Sequence, residues 1–103
     1  MSTLSITKTK DNETLTAVIS GRIDTTTSPE LENEIKSDLE GIKKIILDFK
    51  NVEYISSSGL RVLLSLHKTM TASDGELIIS KPADMVVGVF EVTGFADILN
   101  IEK

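Results

Sequence analysis

The order in which hydrophobic patterns change along the chain limits the folds that it can adopt. Two segments with strand-like alternation come first, and three helical patterns then alternate with short apolar segments. Strands that alternate with helices predict right-handed crossovers and helices that pack against a mixed sheet. We therefore predict an α/β fold with four or five strands, in a single domain that spans residues 1–103.

The first half of the chain predicts an antiparallel strand pair and one helix. Apolar and polar residues alternate on both sides of the turn sequence KDNE, Lys10 to Glu13. Ser28 is the predicted N-cap of a helix that has Pro29 in its first turn and Gly41 as its stop signal. The apolar stripe of this helix comprises Leu31, Ile35, Leu39 and Ile42, and acidic residues on its other side predict a solvated face.

The second half predicts two buried strands and two helices. Three adjacent apolar residues in KKIILDF, Lys43 to Phe49, predict a central parallel strand that is covered on both faces. ELIIS at Glu76 to Ser80 has the same signature. A last helix is predicted from about Pro82 to Thr93, ending at Gly94, with Met85, Val86, Val89 and Phe90 on its apolar side. A short edge strand is predicted at Ile98 to Ile101.

Composition excludes several classes of function. The net charge is −5, which disfavours nucleic acid and anionic membranes as direct partners. The chain has no cysteine and only one histidine, so disulfide bonds and zinc clusters of thiolate or imidazole ligands are excluded. No apolar run approaches the length of a membrane span, and we expect a cytoplasmic protein without membrane insertion.

Hydroxyl side chains are concentrated in two loops, GRIDTTTS and ISSSG. Both loops follow strands whose carboxyl ends are predicted to meet at one edge of the sheet, where ligand and partner sites collect in α/β folds. Ser56 to Ser58 also suit a simple helix cap, and Asp24 with the threonines after it suits a capped turn. Both interpretations remain open at this point.

The helix predicted over Leu60 to Met70 has an unusually wide apolar arc, which indicates either deep burial or a face used by a partner. His67 falls inside this arc and is predicted to be packed. Nine helical residues would separate Ser58 from His67 by about 13 Å along the axis, so the two cannot form a catalytic pair. The segment also lacks the glycine that precedes a nucleophile elbow serine, and we expect no enzymatic activity.

The stretch IILDFKNVEYISSSGLRVLLSLHK resembles the central motif of the STAS domain, the anti-sigma factor antagonist family, in which a buried strand leads through D-S-[S/T]-G-L into a helix. SGRID at Ser20 to Asp24 and the closing segment VFEVTGFADILNI are similar to two other parts of the family pattern. The resemblance implies that Ser58, immediately before the motif glycine, is phosphorylated by an anti-sigma factor that is also a serine kinase. Ser56 stands at the motif's acidic position, which is a departure from the pattern.

The function that this resemblance implies is partner switching. The unmodified domain would bind the anti-sigma factor, phosphorylation of Ser58 would release it, and a phosphoserine phosphatase would reset the system. The expected partner surface comprises Asp24, Thr25, Ser56, Ser57, Gly59 and Arg61, with Gly59 leaving room for the nucleotide of the kinase. ATP and Mg²⁺ would belong to the kinase, so no cofactor is expected here. The alternative is a STAS subunit of a lipid-transport ATPase complex that is not phosphorylated.

Overall fold

Five strands and three α-helices make up residues 4–103, the part of the chain that the computed structural model describes. The first three residues of the predicted domain lie outside this range. In chain order the elements are β1 (Leu4–Asp11), β2 (Thr14–Ile23), α1 (Ser28–Lys36), β3 (Lys44–Ile55), α2 (Ser57–Ala72), β4 (Glu76–Ser80), α3 (Asp84–Thr93) and β5 (Asn100–Glu102), with a 3₁₀ turn at Phe95–Asp97. The predicted order of strands and helices is confirmed.

The five strands form one mixed sheet in which spatial order follows chain order, β1-β2-β3-β4-β5. β1 is antiparallel to β2, and the remaining neighbours are parallel. The three crossovers through α1, α2 and α3 all step in the same direction. Because such crossovers are right-handed, all three helices lie on the same face of the sheet. The result is a two-layer molecule of 34 × 32 × 20 Å.

The second face of the sheet carries no helix among the described residues. Ile45, Leu47 and Phe49 of β3 are buried against the helices, whereas the residues between them are only half-buried. The prediction that this strand is covered on both faces is therefore wrong, because a strand order without reversal sends every crossover to one side. The apolar run arises because Ile46 lies beside Ile78 of β4 on the open face.

α1 is shorter than predicted and begins differently. It ends at Lys36, so Leu39 and Ile42 belong to the following turn, although Ile42 is still buried in the core. The N-cap is Thr27, and the hydroxyl of buried Ser28 donates to the carbonyl of Asp24 in place of the predicted capping bond. Gly41 has φ +77° in the turn after the helix, a conformation that favours glycine.

Ion pairs hold α1 and the turn after it against β1. The ammonium group of Lys8 lies 2.9 Å from a carboxylate oxygen of Glu34 and 2.6 Å from one of Asp38. The hydrogen bond from Lys8 lowers the pKa of Asp38, and the bond to Asp38 raises the pKa of Lys8. The predicted solvated face is thus partly used to join the strand pair to the helix.

The last two helices follow the prediction closely except in their surface residues. α2 begins within two residues of Ser58, and α3 ends at Gly94, which has φ +83°. Met85, however, is 66% exposed and lies outside the buried side of α3, which comprises Val86, Val87 and Phe90. His67 is half-buried at the protein surface and is not a core residue. Among residues 4–103, no helix is long and apolar enough to cross a membrane.

Candidate functional site

The serine loop is fixed at the end of β3 by two hydrogen bonds of Ser56. Its backbone nitrogen donates to the carbonyl of Ile23 at the end of β2, over 2.8 Å. Its side-chain oxygen accepts a hydrogen bond from the backbone nitrogen of Gly59 over 3.2 Å, so Ser56 is the N-cap of α2. A serine in place of the motif acid therefore still supplies the capping oxygen.

Ser57 and Ser58 occupy the first turn of α2 and are free of this structural task. Their hydroxyl groups make no hydrogen bond within the described part of the chain. Ser57 is exposed and Ser58 is half-buried. Exposed Arg61 follows them by four and three residues, a spacing that puts it on the same outer side of the helix.

Gly59 faces the opposite way from the proposed partner surface. It is buried, and a Cβ atom at this position would lie 2.7 Å from both Ile23 Cγ2 and Ile55 Cγ1. The glycine lets the first turn of α2 approach the ends of β2 and β3. The space on its Cβ side is thus filled by the core. Contact of Gly59 with a partner or with the nucleotide of a kinase stays a prediction.

The loop after β2 is an internally bonded turn. One carboxylate oxygen of Asp24, Oδ1, accepts hydrogen bonds from the backbone nitrogens of Thr26 and Thr27, each over 3.0 Å. These bonds, with that of Thr27 first, hold the pKa of Asp24 below its ordinary value. The hydroxyl of Thr27 accepts from the Asp24 nitrogen over 2.8 Å and donates to the carbonyl of Arg22 over 2.7 Å. Asp24 therefore has a structural role in the turn, whereas Thr25 and Thr26 are exposed.

The two hydroxyl-rich loops lie side by side, as the sequence predicts. Ile23 is paired with Ile55 in the parallel register of β2 and β3, and each loop begins at the next residue. Both loops leave the carboxyl ends of adjacent strands, where partner sites are common in this fold class. Contact of Asp24, Thr25, Ser56, Ser57 and Arg61 with a partner stays a prediction.

Sequence reasoning misses an aromatic contact next to these loops. The guanidinium carbon of Arg22 lies 4.3 Å from the ring centroid of Tyr54, and Tyr54 is 38% exposed. The two residues are opposite each other only because β3 carries one extra residue at each of two bulges relative to β2. Such bulges leave no sequence signal strong enough to set this register in advance.

Comparisons with known proteins agree on one family. The STAS domain model matches residues 5–103. BtrV of Bordetella bronchiseptica, named as a candidate anti-sigma factor antagonist, is 31% identical over 95% of this chain and 85% of its own. The anti-sigma-B factor antagonist of Staphylococcus aureus is 29% identical over 97% of this chain and 94% of its own.

Solved structures show the same fold at lower sequence identity. The anti-sigma factor antagonist SpoIIAA in its unphosphorylated form has a TM-score of 0.82 at 20% identity, covering 96% of this chain and 89% of its own. SpoIIAA of Bacillus in the phosphorylated form has a TM-score of 0.75 at 19% identity, covering 96% and 92%. With the family model matched over nearly the whole sequence, this chain belongs to the STAS domain family.

Proposed function

We propose that this STAS domain is an anti-sigma factor antagonist that acts by partner switching, with Ser58 as the phosphate acceptor. The observation that carries the proposal is the division of tasks in the serine loop. Ser56 caps α2, whereas Ser57 and Ser58 present hydroxyl groups with no hydrogen bond in residues 4–103. The names of the two relatives support an antagonist over a subunit of a transport complex.

A phosphate on Ser58 would leave the fold intact. The first turn of α2 has free backbone N–H groups, and a negative charge there is favoured by about 0.3 to 1 kcal/mol. Arg61 adds a positive charge one helical turn further along the same side. Phosphorylation therefore acts on the interface and not on the stability of the domain.

The partner interface is where the added charge has its effect. A phosphoserine carries a charge of about −1.5 to −2, which would have to be desolvated against a surface fitted to a neutral hydroxyl. A loss of about 3 kcal/mol at this point lowers the affinity more than a hundredfold. This is enough to release a bound anti-sigma factor. The released anti-sigma factor then inhibits the sigma factor again.

The other components of the switch follow from this role. The anti-sigma factor is the kinase and brings ATP and Mg²⁺, and a phosphoserine phosphatase restores the unmodified state. We place the exchange in the cytoplasm, where ATP and the bacterial transcription machinery are found. The domain contributes a binding surface and an acceptor hydroxyl, and it has no catalytic task of its own.

Phosphate mapping tests the assignment of Ser58. The protein is incubated with its anti-sigma factor, ATP and Mg²⁺, and the tryptic peptide Asn51 to Arg61 is sequenced by mass spectrometry. We expect one phosphate on Ser58, its loss in Ser58→Ala and its retention in the matched control Ser57→Ala. Phosphate on Ser57, or none under conditions in which the two proteins bind, would contradict the assignment.

A further inference from the structure

An apolar groove lies beside the C-terminal half of α2, between Leu64 and Ala72 of the helix and Ile98. It has a volume of about 630 Å³ and is lined by Leu64, His67, Lys68, Thr71, Ala72 and Ile98. Its lining surface is almost entirely apolar, and Ile98 is 47% exposed. The wide apolar arc of α2 is thus only partly used by the core, since Leu64 and His67 are half-buried and face this groove.

The charged side chain among the residues that line the groove is that of Lys68. α2 contains Arg61 and Lys68 and no acidic residue over its 16 positions, in a chain where acidic residues outnumber basic ones by 16 to 11. Neither Arg61 nor Lys68 forms an ion pair among residues 4–103. A segment that covers this surface gains most if it combines apolar side chains with carboxylates.

One stripe of α2 connects the serine loop with the groove. Ser57, Arg61, Leu64 and Lys68 follow one another at intervals of four, three and four residues, which places them in one stripe along the helix. A partner that contacts the loop at Ser57 therefore meets Arg61 next and then the groove at Leu64. The same spacing is what an amphipathic helix laid along α2 would match.

We infer that the groove beside α2 docks an acidic amphipathic segment of the anti-sigma factor, and this inference rests on the proposed function. Apolar side chains of that segment fill the space between Leu64 and Ile98, and its carboxylates face Arg61 and Lys68. The groove residues do not include Ser58. Phosphorylation of Ser58 therefore changes the contacts at the serine loop and leaves those in the groove unchanged.

A second copy of the chain is a poorer occupant. Its acidic helix would be α1, but Glu32 is bonded to Lys36 within that helix. Glu34 and Asp38 are likewise paired with Lys8 of β1. Docking α1 into the groove of another molecule would exchange existing ion pairs for new ones and gain little.

Two substitutions in the groove and two matched controls test the inference. Lys68→Glu reverses a charge beside the groove, and Lys50→Glu makes the same charge change at an exposed position of β3. Ile98→Ser removes apolar surface from the groove, and Val92→Ser does so at an 89% exposed position outside it. Affinity for the purified anti-sigma factor is measured by calorimetry, after thermal melts show that each variant is folded.

We expect Lys68→Glu and Ile98→Ser each to weaken binding about tenfold, and the two controls to stay within about twofold of the unsubstituted protein. Added salt should weaken binding by the unsubstituted protein more than binding by Lys68→Glu. Equal affinities across all four variants would overturn the inference that the groove docks the partner, and would leave the proposed function standing. Absence of any binding by the unsubstituted protein would overturn both. Dimerisation of the chain alone that is lost in Lys68→Glu would assign the groove to a second copy and also overturn the inference.

Discussion

The position of the serine loop depends on the absence of a side chain at Gly59. In Gly59→Ala, the added Cβ atom would stand 2.7 Å from two carbon atoms, Ile23 Cγ2 and Ile55 Cγ1, with Ile55 Cδ1 at 3.3 Å. Ordinary contacts between carbon atoms are about 3.5 to 4.0 Å. Relief requires that α2 move away from the strands or that two buried isoleucines leave their rotamers.

The size of the effect follows from two opposing terms. Overpacking of a filled core costs about 1 to 3 kcal/mol. Replacement of glycine by alanine inside a helix returns up to about 1 kcal/mol, and less near the N-terminus. We therefore expect Gly59→Ala to lower the free energy of unfolding by about 1 to 2 kcal/mol. For a domain of this size the melting temperature would fall by about 5 to 15 °C.

Gly88 provides the matched control for this substitution. It lies within α3, and a Cβ atom there would meet nothing within 4 Å. Gly88→Ala should raise the free energy of unfolding by about 0.5 to 1 kcal/mol, because only the helix term remains. Urea titrations of both variants compare the two changes directly. If Gly59→Ala is as stable as the parent while Gly88→Ala behaves as expected, the close approach of α2 to the strand ends is wrong.

Three further predictions concern the loops and the acidic groups. Thr27→Val should destabilise the domain by about 1 to 3 kcal/mol, because the Asp24 N–H and the Arg22 carbonyl lose their hydroxyl partner at a residue that is 2% exposed. Thr25→Val, at an exposed position, should change the free energy of unfolding little. Equal effects of the two variants in urea titrations would refute the bonded turn. Ser56→Ala should cost about 1 kcal/mol through loss of the α2 cap, with Ser57→Ala nearly neutral, and the reverse order would assign the cap to the wrong serine. The lowered pKa values of Asp24 and Asp38 stabilise the fold above their ordinary value of 3.8, and this contribution is lost as pH falls below about 4. Melting temperatures between pH 6 and about pH 2.5 should therefore fall steeply at the acid end, less so in Asp24→Asn, and an unchanged slope in that variant would contradict the internal bonds of Asp24.

The order of the elements was predictable from local patterns. The spacing of apolar residues shows which side chains face the core, and it differs between helices and strands. Gly94 ends α3 in a left-handed conformation that favours glycine. The juxtaposition of the two hydroxyl-rich loops was predictable too, since it needs only the direction of two adjacent strands. Both features depend on short-range information that the residues themselves carry.

The covering of the sheet and the role of Gly59 were not predictable in this way. Three adjacent apolar residues, Ile45 to Leu47, predict a strand buried on both faces, but Ile46 is only half-buried and lies beside Ile78 of the neighbouring strand. The sequence predicts Gly59 as a small residue at a partner site. Its packing against Ile23 and Ile55 depends on the tertiary structure, which brings these side chains to the first turn of α2. The register that sets Arg22 against Tyr54 depends on two bulges of β3. Each of these features is a property of tertiary packing.

The central claim is that a phosphate on Ser58 changes the interface and leaves the fold unchanged. Its most direct test is calorimetry of the anti-sigma factor with unmodified and Ser58-phosphorylated protein at the same salt concentration, together with thermal melts of both forms. We expect the phosphorylated protein to bind more than about a hundredfold more weakly, with a melting temperature equal to or slightly above that of the unmodified protein. Equal affinities would contradict partner switching, and a phosphorylated form that binds weakly because it has unfolded would contradict the proposed site of action.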